Sequence, residues 1–156
     1  MNAQHSTSNA QLSTNGNLPR VSAAVKYDLE ERLLEYSALI ILVVEKLPNS
    51  RSGNHIAGQL LRCGTSPLPN HGEAQAAESA ADFIHKMSIC LKELRETRRW
   101  LRLTKKVWES KCPVEINFLL SETEELIKIF SASICTAKEN KTKQKAAPSP
   151  TLKVER

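Results

Sequence analysis

The sequence predicts an all-α protein: an antiparallel up-and-down four-helix bundle with a proline-kinked second helix and disordered termini. Three observations lead there. Large apolar residues recur at three- and four-residue steps through four successive segments, the period of a helix with one buried face. The breaks between those segments are short, as they are between neighbouring antiparallel helices. Signals for β-hairpins are weak, with only 5 Gly and 4% aromatic residues in 156. That length suits one ordinary domain, and 40% hydrophobic residues suffice for one modest core.

The elements follow in order. Residues 1–26 are rich in Asn, Ser, Thr and Gln with few large apolar side chains, so they are expected to form a disordered N-terminal tail. The first helix starts at Asp28, an N-cap residue, with Glu30 and Glu31 where the helix dipole favours anions. Its apolar face is Leu29, Leu33, Tyr36, Ile40, Val43 and Leu47, and Pro48 ends it. Pro48 to Gly53 reads as a polar linker. The second helix runs from about Asn54 through Ile56, Leu60 and Leu61. Pro67 and Pro69 then remove two amide donors and kink it, with helix resuming near Asn70. The Ala-rich run Glu73–Ala81 is strongly helical by propensity, which leaves the third helix free to continue from the second after a bend. In that third helix Phe83, Met87, Leu91, Leu94, Leu101 and Trp108 share a narrow sector. Cys112-Pro113 marks the next connection. The fourth helix, about Val114–Ala137, buries Leu119, Leu120, Leu126, Ile127, Phe130 and Ile134. The domain is therefore 27–137, followed by a basic tail, 138–156, expected to be disordered.

Charge is unevenly placed. The net charge is +5, but the two tails hold more than all of it, and residues 27–137 carry −1. Within the bundle, 28–47 and 114–137 each sum to −3, while 86–111 sum to +6. The basic residues include a stripe on the third helix: Arg95, Arg98, Arg99, Arg102 and Lys106. At 100° per residue these are expected to lie beside the apolar face. Arg is suited to bidentate contact with phosphate or carboxylate. The stripe therefore has two readings, an RNA or DNA backbone footprint, or ion pairing with the acidic helices within or between subunits. Arg62 is a further candidate contact. Trp100 is the one aromatic near the stripe, so the aromatic interleaving of single-strand binders is missing. Lys138, Lys141, Lys143 and Lys145 form a second basic stretch, in the tail.

The sequence offers no catalytic constellation. Ser66, Ser79 and Cys63 lack a neighbouring base, and phosphate-loop and dinucleotide fingerprints are missing. Glu78, Asp82 and His85 would share a helix face, but the second Glu-x-x-His pair of a di-iron bundle is missing. The four cysteines, Cys63, Cys90, Cys112 and Cys135, have no CxxC spacing and read as reduced thiols. No enzyme activity, metal, cofactor or small-molecule substrate is expected. The polar start has no secretory apolar stretch, and the longest apolar run, Ala38–Val44, is too short to span a bilayer. A soluble, cytoplasmic protein without a membrane partner is expected.

A series of motifs occurs in order: Asp28-Leu-x-x-Arg32-Leu33, Leu47-Pro48, Gln59-Leu-x-Arg62-Cys-Gly64-Thr65-Ser66, Asn70-x-x-Glu73-Ala74, Glu78-Ser79-x-x-Asp82-Phe83-Ile84-His85-Lys86, Leu91-Lys-Glu-x-Arg95-Glu96-Thr97 and Trp100-Leu101. Over roughly 27–137 this resembles the small four-helix bundle family of 23S rRNA intervening sequences. His71 stands where many members carry Tyr. The resemblance implies an antiparallel bundle that assembles into a homopentameric ring, with no established catalytic residue. A related bundle, the accessory variability protein of diversity-generating retroelements, assists a reverse transcriptase and binds nucleic acid through a basic surface. The expectation is a non-enzymatic oligomeric adaptor that engages RNA or a ribonucleoprotein through Arg95, Arg98, Arg99, Arg102, Lys106 and Arg62. The alternative is a protein-binding scaffold, or a reverse-transcriptase accessory-like subunit without its own nucleic-acid specificity.

Overall fold

The computed structural model describes residues 28–108 and 113–146; residues 1–27, which include the N-terminal tail, 109–112 and 147–156 lie outside them. Every regular element among the described residues is helical: α1 (Leu29–Val44), α2 (Arg51–Thr65), α3 (Pro67–Gln75), α4 (Ala80–Val107) and α5 (Glu115–Ala146). The α2 and α3 segments are one helix bent at Ser66, whose backbone is itself right-handed helical (φ −58°, ψ −34°). Pro67 and Pro69 lack the amide hydrogens that would close the ladder there. The Asn70 side-chain amide repairs part of the loss by donating to the Ser66 carbonyl (2.9 Å) and hydroxyl (3.1 Å). Four helices therefore run up, down, up, down. α1 packs on α2–α3 and on α5, and α4 packs on the same two neighbours. α1 and α4 occupy one diagonal of the bundle and do not pack together.

The helix ends follow from caps. The Asp28 carboxylate accepts from the Glu30 amide at 3.0 Å and opens α1 as expected. Ser50 accepts from Gly53 N–H, so α2 begins at Arg51, inside the stretch read as a linker. The Ala-rich run does not carry helix through. α3 stops at Gln75, Ala77 N–H turns back to the Ala74 carbonyl, and Ser79, in extended conformation, caps α4 by accepting from Asp82 N–H at 3.1 Å. A capped helix start outweighs the intrinsic preference of the two alanines in the break, Ala76 and Ala77, worth a few tenths of a kcal/mol each. At the other end α5 continues to Ala146, nine residues past the expected boundary at Ala137. Residues 138–146 are thus helix rather than disordered tail.

The core holds Leu33 and Ile40 of α1, Leu60 of α2, Met87, Leu94 and Leu101 of α4, and Leu119, Leu126 and Phe130 of α5. Midway along it lies a polar layer with one member from each helix: Tyr36, Cys63, Thr97 and Thr123. The Thr123 hydroxyl donates to the Leu119 carbonyl one turn back and accepts from the Tyr36 phenol at 2.6 Å. Thr97 likewise donates to the Glu93 carbonyl (2.8 Å), and the Cys63 thiol donates to the Leu60 carbonyl at 3.9 Å. Each hydroxyl of this layer has a partner, so the layer fixes helix register without orphaning its own polar groups. α1 and α2 come close where Gly64 faces Ile40. A Cβ at Gly64 would lie 2.8 Å from Ile40 Cγ2.

Candidate nucleic-acid interface

α4 is 28 residues long and spans the height of the bundle. Its buried residues Met87, Cys90, Leu94, Thr97, Leu101 and Thr104 repeat every three or four positions and face α2 and α5. The opposite face holds Lys92, Arg95, Arg99, Arg102 and Lys106, spaced three, four, three and four, all exposed. These five form a straight stripe about 21 Å long at 1.5 Å per residue. None of them makes an ion pair among the described residues. The Arg99 guanidinium reaches only the Arg95 carbonyl, at 3.4 Å. Arg95, Arg99, Arg102 and Lys106 therefore lie opposite the apolar face rather than beside it.

Arg98 belongs elsewhere. It is one residue out of phase with the stripe, beside the core, and donates through Nη1 to both Glu124 oxygens of α5 at 3.0 Å. The pairing reading holds for this arginine. Arg62 is also engaged within the chain. From α2 it donates to Glu93 Oε2 at 3.1 Å and to Glu96, both on α4. The Glu93 side chain is 9% exposed, so this guanidinium compensates a carboxylate that the core has nearly dried. Two of the six expected contact residues thus bind helices to one another, and four face outward. Lys92 completes the stripe and was missed by the sequence reading, although its spacing from Arg95 was the available signal.

Acidic residues are divided in the same way. Glu115 and Glu122 of α5 take Lys46, just past the end of α1, and Arg32 of α1. Glu31, Glu35 and Glu45, on the outer side of α1, are exposed and outside every ion pair among the described residues. The bundle therefore has a basic edge at α4 and an acidic edge at α1, on opposite corners. Trp100 provides no open platform near the stripe: its indole N–H donates to Glu96 at 3.3 Å and its ring packs edge-on against His55, 5.9 Å between centroids.

The residues weighed for chemistry have other duties. Burial pushes the Cys63 thiol up to about 11 and the Cys90 thiol up to about 12, which makes them poor nucleophiles. Ser79 caps α4, and Ser66 accepts from Asn70. Glu78 precedes that cap and so leaves the helix face that carries Asp82 and His85. No group of three or more His, Cys, Asp or Glu side chains among the described residues is arranged to hold a metal ion. No helix there is long and apolar enough to cross a membrane.

The sequence model of the 23S rRNA-intervening sequence protein family matches residues 27–132. The chain belongs to that family. A crystal structure similar to it is that of a protein of unknown function from the S23 ribosomal protein family of Bacteroides thetaiotaomicron VPI-5482. The two are 31% identical with a TM-score of 0.62, over 69% of this chain and 98% of that one. No curated protein matches the chain. The intervening-sequence family segment includes the whole α4 stripe and ends in α5 at Ala132, so residues 133–146 extend that helix beyond the matched region.

Proposed function

We propose that this intervening-sequence protein is a non-enzymatic adaptor that binds RNA, free or within a ribonucleoprotein, through the outer face of α4. The supporting observation is the exposed row of Arg95, Arg99, Arg102 and Lys106 with no carboxylate partner among the described residues. Guanidinium groups one helical turn apart suit successive phosphates. Four such contacts give a slope of log K against log salt of about −2.8 to −3.6, a loss of roughly 50- to 150-fold between 50 and 200 mM salt. The test is RNA binding by the full chain at both salt concentrations, with Arg95→Gln/Arg99→Gln/Arg102→Gln beside the wild type. The expected result is a slope flatter by about 2 to 3 units in the variant. Equal slopes would refute the reading.

A protein-docking face is favoured by a separate observation. Leu34, Ile41 and Leu42 on α1 and Leu61 on α2 are 42 to 59% exposed, among the unpaired acids of α1. A second copy of the chain is the occupant that the family resemblance suggests, in a ring whose subunits present different patches to one another. Light scattering on Ile41→Glu/Leu42→Glu tests this: a smaller assembly supports it, and an unchanged mass removes α1 from the interface.

A further inference from the structure

We infer that the cavity beside His71 binds a small hydroxyl-bearing amine, with its ammonium on the Asp28 and Glu30 carboxylates and its hydroxyl on the imidazole. The cavity measures about 330 Å³ and lies between the start of α1, the end of α3, the first turns of α4 and Ser133 of α5. At about 30 Å³ for each water-sized group, it has room for a molecule of about ten non-hydrogen atoms. It shares no residue with the α4 stripe, so it stands independently of the RNA reading.

His71 supplies the first half of the argument. It is 5% exposed, with its ring edge-on to Phe130 and its Nε2 at 3.2 Å from the Gln75 amide nitrogen. Its Nδ1 is buried and has no hydrogen-bond partner among the described residues. Buried polar atoms in folded proteins nearly always have a partner, and the space from which one can reach this ring is the cavity that it lines. Burial lowers the imidazole pKa, so the ring is neutral at pH 7, with one donor and one acceptor nitrogen. A hydroxyl suits Nδ1 in either tautomer, because it can donate or accept.

The acids supply the second half. Asp28 Oδ1 accepts from the Glu30 and Glu31 amides. Its other oxygen and the Glu30 carboxylate are outside every ion pair among the described residues. No described Lys or Arg lines the cavity to balance them. The α1 dipole opposes a cation at this end with about half a charge, which two carboxylates outweigh. Leu29, Phe83 and Met87 make the rest of the wall apolar. The acids and His71 are not arranged to hold a metal ion. The complement is therefore an organic cation with a short hydrocarbon body.

The experiment titrates the full chain with 4-amino-1-butanol, n-butylamine and 1,4-butanediol. Calorimetry measures affinity, and the NMR signal of the His71 ring Cε1–H, identified by its loss in His71→Phe, reports place. The amino alcohol is expected to move that signal to saturation. It is expected to bind about three- to tenfold more tightly than butylamine, which lacks the hydroxyl, while the uncharged diol leaves the signal in place. In His71→Phe the preference for the amino alcohol over butylamine is expected to vanish. Asp28→Asn/Glu30→Gln keeps a capping side chain and is expected to weaken the amino alcohol by at least about tenfold. Glu35→Gln, exposed on the outer side of α1, is the control, expected to match wild type. Equal affinity of the amino alcohol and butylamine in wild type removes His71 from the site. A diol that binds as tightly as the amino alcohol removes the carboxylates. Either result, or a His71 signal that no probe moves, overturns the proposal.

Discussion

Replacing Arg62 tests the division of basic residues into structural and outward-facing groups. Arg62→Met keeps an unbranched apolar stem and removes the charged head. It strands Glu93, whose side chain is 9% exposed and which loses its 3.1 Å partner, and it frees Glu96 to water. Breaking a fully buried pair costs about 3–5 kcal/mol, whereas exposed pairs contribute about 0–1 kcal/mol. Arg62 itself is 54% exposed, so water screens this pair from one side and the cost falls between, at about 2 kcal/mol. For a folded unit of this size each kcal/mol moves Tm by about 4 °C, so Tm should fall by about 8 °C. Urea unfolding followed by circular dichroism measures the difference. Glu93→Leu combined with Arg62→Met should recover at least half of the loss, because no buried charge is then left alone. RNA affinity of the folded Arg62→Met protein should equal wild type. A variant within 0.5 kcal/mol of wild type, or one that loses as much RNA affinity as Arg99→Gln, would refute the assignment of Arg62 to the α2–α4 seam.

Gly64→Ala should lower stability by about 1–2 kcal/mol despite the gain in helix propensity, since the new methyl would lie within 3.0 Å of three carbons of the buried Ile40; pairing it with Ile40→Val should restore part of the loss in the same urea assay. Burial lowers the pKa of His71, with Glu30 and Asp28 opposing more weakly. The unfolded chain therefore binds the proton more readily, and the His71 contribution is full above about pH 6.5 and is lost as pH falls through the window below it. His71→Phe should make stability less dependent on pH between 7.5 and 5 than it is in wild type. In a Cys112→Ser background a thiol reagent should modify Cys135, which is exposed, at once, and should reach Cys63 and Cys90, which are buried, only at the rate of unfolding.

Helix existence was legible because the apolar period is strong, as in Leu33, Tyr36, Ile40 and Val43 of α1 and in Leu119, Leu126 and Phe130 of α5. The kink was legible because two prolines leave no alternative. The break at Ala76–Ser79 was misread by summing alanine propensities, although Ser79-Ala-Ala-Asp82 holds a cap signal that decides it. The last turns of α5 were misread because they carry no large apolar residue. Extending an existing helix avoids the nucleation cost, so a run of Lys, Glu, Gln and Ala can continue one that the core has already formed. The site was half legible. The residue types were on the page, but which arginine finds a carboxylate depends on how α4 sits against α2 and α5, and no pattern within α4 reports that. Arg98 differs from Arg99 by a single step, and that step turns it to Glu124.

Net charge was the weakest guide of all, for a reason that can be measured. The −1 of residues 27–137 weighs against a polyanion only if the charges cancel where the ligand sits. They do not: Glu31, Glu35 and Glu45 lie along α1 and at its end, and the unpaired Lys92, Arg95, Arg99, Arg102 and Lys106 lie on α4, across the bundle diagonal. With neighbouring axes about 10 Å apart, the diagonal is about 14 Å, and side chains pointing outward from both corners separate the two edges by more than about 20 Å. At physiological ionic strength the Debye length is about 8 Å, so a phosphate at α4 senses the arginines and almost none of the α1 carboxylates. At 0.01 M salt the Debye length grows to about 30 Å, and the acids come within range. RNA affinity should then rise less steeply at the dilute end than the line fitted between 50 and 200 mM salt extrapolates. Glu31→Gln/Glu35→Gln/Glu45→Gln should straighten that curve while leaving affinity at 150 mM unchanged. A variant that instead gains affinity equally at every salt concentration would place the α1 acids close to the bound RNA and contradict the two-edge arrangement.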